Sequence, residues 1–116
     1  MGDFRGLVAW QLAHQLVLEV YRATAAFPPE ERFGLTSQLR RGAVSIASNL
    51  AEGAGRGTGN ELRRFASISR GAVHELTCQL MIARDLGFLP SREAAHLLAS
   101  ADRIGRLLSG IVTPRK

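Results

Sequence analysis

Apolar residues recur at intervals of three and four along most of the chain, which is the spacing of one helix face. Four such runs cover about residues 7–26, 35–54, 59–86 and 91–112, and no segment shows the alternation typical of a strand. The connections between the runs are short, so neighbouring helices are expected to run antiparallel. The pattern therefore predicts an all-α fold, an antiparallel up-down-up-down four-helix bundle in a single domain over residues 1–116.

Breaker and capping residues set the ends of these helices. Phe27-Pro28-Pro29 ends the first helix, because proline lacks a backbone donor and disfavours helix in the residue before it. Four closely spaced glycines after residue 52 end the second, and Thr58-Gly-Asn-Glu61 is typical of a capping box that starts the third. Ser91 is the predicted N-cap of the fourth. Gly42 and Gly71 lie inside helices, where glycine often marks close backbone approach.

The second helix carries an ordered row of polar side chains on one side. At ~100° per residue, six polar residues fall within roughly 80° of arc. This polar row consists of Gln38, Arg41, Ser45, Asn49, Glu52 and Arg56. A solvated face normally carries scattered charges, whereas these groups can hydrogen-bond to one another. The row therefore predicts a polar seam, either against another helix of the bundle or against another subunit.

Glu75 is expected to join this seam from the third helix. Helical projection places it beside Ile68, Ile82 and Leu86, at the edge of the apolar face. A buried carboxylate without a partner costs several kcal/mol or more. Arg41 and Asn49 are the candidate partners, and we expect an Arg41–Glu75 ion pair within or beside the seam.

The net charge of +5 comes almost entirely from arginine, since Lys116 is the only lysine. Arginine suits phosphate because its planar guanidinium presents a fork of donors. A basic surface that contacts nucleic-acid phosphates without reading sequence is the functional interpretation. The alternatives are a solvated helix face and a genomic bias toward arginine. Aromatic residues are sparse between the arginines, so stacking on single-stranded bases is not expected. The candidate contacts are Arg40, Arg56, Arg63, Arg64, Arg70 and Arg84.

Other site classes receive little support. The glycine cluster lacks the Gly-Lys-Ser/Thr of a Walker loop and the third glycine of a dinucleotide fingerprint, although the start of the third helix near Arg56 suits one anion. His74 and Cys78 are four residues apart, but no further metal ligand is indicated. No nucleophile motif is present. We expect no metal, no cofactor and no catalytic residue; an enzyme or metal protein using His74, Cys78 or Glu75 is a weaker alternative.

The amino terminus shows no apolar signal region, and no run approaches the ~20 apolar residues of a membrane span. The expected protein is therefore cytoplasmic, with no membrane partner.

Several elements resemble the bacterial four-helix-bundle proteins encoded in intervening sequences of 23S ribosomal RNA genes. The resemblance covers about residues 3–110, and Asn49-Leu-Ala-Glu-Gly53 following Gln38-Leu-Arg-Arg41 is its most specific part. Ser69-Arg-Gly71-Ala72 departs from the usual Ala-x-Gly-Ser, and Leu50 stands where isoleucine is commoner. The other matching elements are Val8-Ala-Trp10, Ala13, Tyr21, Thr24, Phe27, Pro28, Glu31-Arg-Phe-Gly-Leu35, Ser45-Ile, Arg56, Phe65, Gly71 to Leu76 and Leu86-Gly-Phe-Leu89.

The resemblance implies a homopentameric ring of antiparallel bundles. The accessory factor of diversity-generating retroelements is a similar protein, a basic pentamer that binds nucleic acid and reverse transcriptase. We therefore expect a non-enzymatic homo-oligomer that binds RNA or another nucleic acid through arginines. The alternative is an oligomeric scaffold for a protein partner, with no role for nucleic acid.

Overall fold

A computed structural model describes residues 3–114 of the chain as four α-helices, with no strand in that range. Two single 3-10 turns, Phe4–Gly6 and Pro29–Glu31, precede the first and second helices. The helices are α1 (Val8–Thr24), α2 (Leu35–Gly55), α3 (Gly59–Asp85) and α4 (Ser91–Val112).

The helices pack around one shared core. Helix α2 contacts α1 and α3, and α4 also contacts α1 and α3, so the four helices surround the core in chain order. Leucine, isoleucine, valine and alanine fill this core, and Leu16, Leu39, Leu76 and Leu108 are among its fully buried members. The long dimension of 43 Å matches α3, since 27 residues at 1.5 Å rise span about 40 Å.

Most predicted helix ends are confirmed to within two residues. Helix α1 ends at Thr24 rather than near residue 26, because the chain turns so that Phe27 is buried. The Phe27 and Phe88 ring centroids lie 5.9 Å apart, which joins this turn to the α3–α4 connection. Thr58 is the N-cap of α3, and its Oγ1 accepts from the Glu61 amide at 3.2 Å, as predicted.

Ser91 was the wrong choice for the N-cap of α4. The helix begins at Ser91 itself, and Pro90, with extended backbone, occupies the cap position without a side-chain hydrogen bond. The Pro90 carbonyl accepts from the Ala94 amide at 2.9 Å, so the first helical bond already includes the proline.

Three pairs of positions define how α2 packs against α3. Ser69 Oγ donates to the Ile46 carbonyl at 2.9 Å, and Gln79 Nε2 donates to Gln38 Oε1 at 3.2 Å. At the other end of the interface, a Cβ placed on Gly53 would lie 2.7 Å from the Phe65 Cβ. Glycine at position 53 therefore allows the two helices to approach each other just before the chain turns.

The glycine predictions had mixed outcomes. A Cβ on Gly42 would meet Gln79 Oε1 at 3.7 Å and Leu76 Cδ1 at 3.8 Å, so Gly42 does lie in the α2–α3 interface. The prediction for Gly71 is wrong within one chain, because a Cβ there would meet no atom of the described residues within 4 Å. Gly71 faces outward from the bundle instead.

Across residues 3–114, no helix combines the length and the apolar character needed to cross a membrane.

Candidate functional site

Three of the candidate arginines meet at the short connection between α2 and α3. We call Arg56, Arg63 and Arg64 the arginine cluster. The Arg56 and Arg64 guanidinium carbons lie 5.2 and 5.1 Å from the centroid of the Phe65 ring. Since Phe65 is itself buried, its ring is a fixed base under two cationic groups.

Two glutamates share the charge of this cluster. Arg56 Nη2 lies 3.2 Å from Glu52 Oε2, and Arg64 Nη1 lies 3.2 Å from Glu61 Oε2. Arg56 Nη1 is also 4.0 Å from Glu61 Oε1. Arg63 donates to the Asn60 side-chain oxygen rather than to a carboxylate. The cluster therefore has three guanidinium groups and two carboxylates, and it keeps a net positive charge.

The connection between the helices is short enough to hold these groups together. Only Arg56, Gly57 and Thr58 lie between α2 and α3, and Gly57 adopts φ +83°, a left-handed conformation that favours glycine. The Thr58 side chain already accepts from the α3 amide of Glu61. The tight turn thus places Arg56, directly after α2, beside the first turn of α3.

Arg40 does not belong to this surface. Its Nε donates to Thr24 Oγ1 at 2.8 Å, and its guanidinium carbon lies 4.5 Å from the Tyr21 ring centroid. A further contact of 3.3 Å joins Nη2 to the Tyr21 carbonyl. These bonds direct Arg40 toward the carboxyl end of α1, where it connects α2 to α1.

Arg70 and Arg84 lie along α3, away from the cluster. Arg70 is half-buried, and its Nη1 lies 3.4 Å from Ser109 Oγ on α4. Arg84 pairs with Asp85 at 2.9 Å, and this hydrogen bond raises the pKa of Arg84. Arg63 and Arg84 are 21 residues apart, or about 32 Å along a helix. The structure brings together three of the six candidate arginines.

The polar row forms hydrogen bonds within α2, as predicted. Asn49 Nδ2 donates to the Ser45 carbonyl at 2.8 Å and to Ser45 Oγ at 3.1 Å. Glu52 and Arg56 form the next pair along the helix. All six members are exposed or half-buried in the single chain. None of the helices within residues 3–114 covers the row, although Gln38 reaches α3 through Gln79.

The expected Arg41–Glu75 ion pair is wrong for the single chain. Both residues line one groove of about 320 Å³ between α2 and α3, together with Gln38, Gly42, Ser45 and Ala72. Both side chains are exposed, and their charged atoms do not approach within 4.0 Å. Solvent around Glu75 removes the cost of an unpaired buried charge, so no partner is required. Glu75 Oε1 instead accepts a hydrogen bond from Gln79 Nε2 at 3.4 Å.

Gln79 lies beneath this groove and was not selected from the sequence. The residue is only 7% exposed, and its Nε2 reaches both Gln38 and Glu75. Its Oε1 is buried and has no hydrogen-bond partner among the described residues. Only the burial pattern of an assembled bundle reveals such a residue, because glutamine on a helix is ordinarily solvated.

His74 and Cys78 are both exposed on α3. Within residues 3–114, histidine, cysteine, aspartate and glutamate side chains form no group of three or more that could hold a metal ion.

The sequence also did not single out an aromatic group at the start of α1. Phe4, Trp10 and His14 lie together beside a groove of about 280 Å³ between α1 and α2. Trp10 and His14 are four residues apart on one helix, which is the signal that could have found them.

Comparisons with known proteins show the family of this chain and a solved structure with a similar fold. The family model described as "23S rRNA-intervening sequence protein" matches residues 5–110, which confirms the resemblance. A crystal structure from Bacteroides thetaiotaomicron VPI-5482, described as a protein with unknown function from the S23 ribosomal protein family, superposes with a TM-score of 0.81. It is 15% identical in sequence, and the match covers 91% of this chain and 99% of that one. No curated protein matches this chain.

Proposed function

Because the chain belongs to the family of 23S rRNA-intervening sequence proteins, we propose that it acts as a non-enzymatic, cytoplasmic, self-associating helical protein. Its ligand is RNA or another nucleic acid, and the arginine cluster carries the contact. The observation that supports this function is the gathering of Arg56, Arg63 and Arg64 at one end of the bundle, with two of them held over Phe65.

The ion pairs of the cluster are compatible with phosphate binding. The side chains of Arg56 and Arg64 are 47% and 62% exposed, and Glu52 is 52% exposed. Exposed pairs of this kind contribute about 0–1 kcal/mol, so a phosphate can take the place of a carboxylate at little cost. Guanidinium groups bind phosphate oxygens in pairs and hold their charge at all physiological pH values.

The arginine cluster is suited to contact with the sugar-phosphate backbone of a nucleic acid rather than with base edges. Helical RNA is recognised mainly by shape and through phosphates and 2′-hydroxyls. Three side chains around one tight turn span little more than one or two phosphates. Several copies of the site in one assembly would therefore bind a long nucleic acid much more tightly than one copy.

Self-association gives such repetition, and its proposed contact is the groove beside Gln38, Arg41 and Ser45, away from the Glu52–Arg56 end of the polar row. Arg41 and Glu75 are open charges on a groove that no helix of the same chain covers. A neighbouring subunit over this groove would supply partners for both. The family resemblance suggests a ring of five bundles.

Within each bundle we propose that neighbouring helices run antiparallel. Three α2–α3 pairs support this direction: Gln38 with Gln79, Ile46 with Ser69, and Gly53 with Phe65. In these pairs the residue number on α3 decreases as the residue number on α2 increases, as it does for antiparallel helices.

The test is fluorescence anisotropy with labelled duplex RNA, single-stranded RNA and duplex DNA at low salt. The proposal expects saturable binding of at least one of them, with affinity that falls steeply as salt rises. Absence of binding to all three at low salt would overturn it.

A protein scaffold is the second candidate function, and an exposed apolar stripe on α3 favours it. Ile68, Ile82 and Leu86 are 46%, 45% and 59% exposed. Large apolar side chains grouped on one face mark interaction sites on many proteins. Purification of one stoichiometric protein partner that survives nuclease treatment would favour this function over the first.

A further inference from the structure

The aromatic group at the start of α1 forms a short stack with one open end. The Trp10 and His14 rings are nearly parallel, at 19°, with centroids 5.0 Å apart. Phe4 meets Trp10 edge to face, with centroids 4.9 Å apart and planes at 67°. Phe4 and Trp10 are half-buried, whereas His14 is exposed. The three rings therefore follow the order Phe4, Trp10, His14, and the last of them belongs to an exposed residue.

The stack is held in place from both sides. Asp3 caps the 3-10 turn that carries Phe4, accepting from the Arg5 amide at 2.9 Å. This hydrogen bond holds the pKa of Asp3 below its usual value, because it stabilises the ionised carboxylate. Apolar and small side chains of α1 and α2 line the rest of the groove, namely Val17, Val44, Ala47, Ser48 and Ala51.

We propose that this groove binds an unpaired nucleobase, which stacks on the exposed face of His14 and extends the row of rings. The inference rests on the proposed function, because it assigns the groove a part in nucleic-acid binding. Bases stack on aromatic side chains without regard to sequence, since every base has a π face.

A positive charge lies at the Phe4 end of the row of rings, and it is complementary to the phosphate backbone of such a ligand. The Arg5 guanidinium carbon lies 5.3 Å from the Phe4 ring centroid, and the Arg5 side chain is 69% exposed. Its partner Asp3 is also exposed, so the pair contributes little and is readily exchanged for a phosphate. An aromatic platform beside an exposed cation is the usual arrangement for single-stranded nucleic acid.

Base stacking was not expected from the sequence, because aromatic residues are sparse between the arginines. The 3-10 turn, however, folds Phe4 back onto Trp10, and the helix places His14 on the same face. Aromatic residues far from the arginine-rich segment thus form a platform that their spacing along the sequence did not reveal.

The chain carries its own reporter for the test, because Trp10 is the only tryptophan. Trp10 fluorescence is measured during titration with oligoadenylate RNA, with oligodeoxyadenylate and with an abasic strand of equal length. A fluorescein label on each strand reports total binding by anisotropy in the same samples. The proposal expects both adenylate strands to quench Trp10 and the abasic strand to leave it unchanged.

Variants separate stacking from other effects. His14→Ala should weaken binding of the adenylate strands by about tenfold, the lower range for loss of one stacked base. His14→Phe keeps an aromatic face and should retain affinity within about twofold. His74→Ala removes another exposed histidine, on α3, and should leave both signals unchanged.

The outcomes distinguish the groove from the arginine cluster. Strand binding by anisotropy without quenching of Trp10, or equal quenching by the abasic strand, would overturn the inference and leave the proposed function standing. Loss of affinity in His14→Ala without recovery in His14→Phe would also overturn stacking. No binding of any strand, together with none of duplex RNA or DNA, would overturn both proposals.

Discussion

The Ser69 hydroxyl donates a hydrogen bond of 2.9 Å to the main-chain carbonyl of Ile46, and both residues are fully buried. This bond joins the middle of α3 to the middle of α2. Together with the Gln79–Gln38 hydrogen bond, it fixes the position of one helix against the other. The groove that holds Arg41 and Glu75 depends on that register.

We predict that Ser69→Ala lowers the free energy of unfolding by about 1 kcal/mol, the typical net contribution of one hydrogen bond. Ser67 lies two residues away on α3 and is exposed, so Ser67→Ala is the matched control and should change stability by less than about 0.5 kcal/mol. Urea denaturation of both variants measures the difference. Equal stability of the two variants would show that the buried bond contributes nothing.

Gly53 should tolerate no side chain. A Cβ there would lie 2.7 Å from the Phe65 Cβ and 3.3 Å from the Leu62 Cα, so Gly53→Ala forces α2 away from α3. We expect a loss of about 1–3 kcal/mol, the usual range for overpacking. At Gly55 a Cβ would meet nothing within 4 Å, which makes Gly55→Ala the control. Thermal unfolding should separate the two variants, and similar melting temperatures would contradict the close approach.

Arg41 and Glu75 should matter for assembly and not for the stability of one chain. Both are exposed, so Arg41→Ala and Glu75→Ala should each change the unfolding free energy by less than about 0.5 kcal/mol at concentrations where the chain is monomeric. If a second subunit covers the groove, both variants should dissociate at higher concentration than the original chain. Sedimentation velocity over a concentration series measures this. Variants that assemble like the original chain would place the subunit contact elsewhere.

The helices could be predicted from the sequence because their determinants are local. Periodic apolar residues, a proline pair and a threonine cap act within a few positions of themselves. The errors at the ends have different sources: Ser91 and Pro90 compete locally for the cap position of α4, whereas α1 ends early because Phe27 turns into the core.

The site residues could be predicted only in part, since a guanidinium reaches several ångströms in any direction. Arg40 and Arg56 were both candidates for one basic surface, but Arg40 bonds to Thr24 on α1 whereas Arg56 lies over Phe65 on α3. Projection placed Glu75 at the edge of the apolar face without showing that solvent reaches it. These outcomes depend on which helix lies alongside, and the sequence alone does not give that information.

The central claim is that Arg56, Arg63 and Arg64 carry the contact with nucleic acid. Its most direct test is the salt dependence of duplex RNA binding by the variant R56Q/R63Q/R64Q. The control is R22Q/R92Q/R103Q, which removes the same charge from exposed arginines on α1 and α4.

The account predicts that the cluster variant loses most of its affinity, with a slope of log K against log salt that is shallower by about 0.7–0.9 for each phosphate that the variant no longer neutralises. The control should keep nearly the original slope. Equal slopes for the two variants would contradict the claim, because net charge alone would then explain the binding.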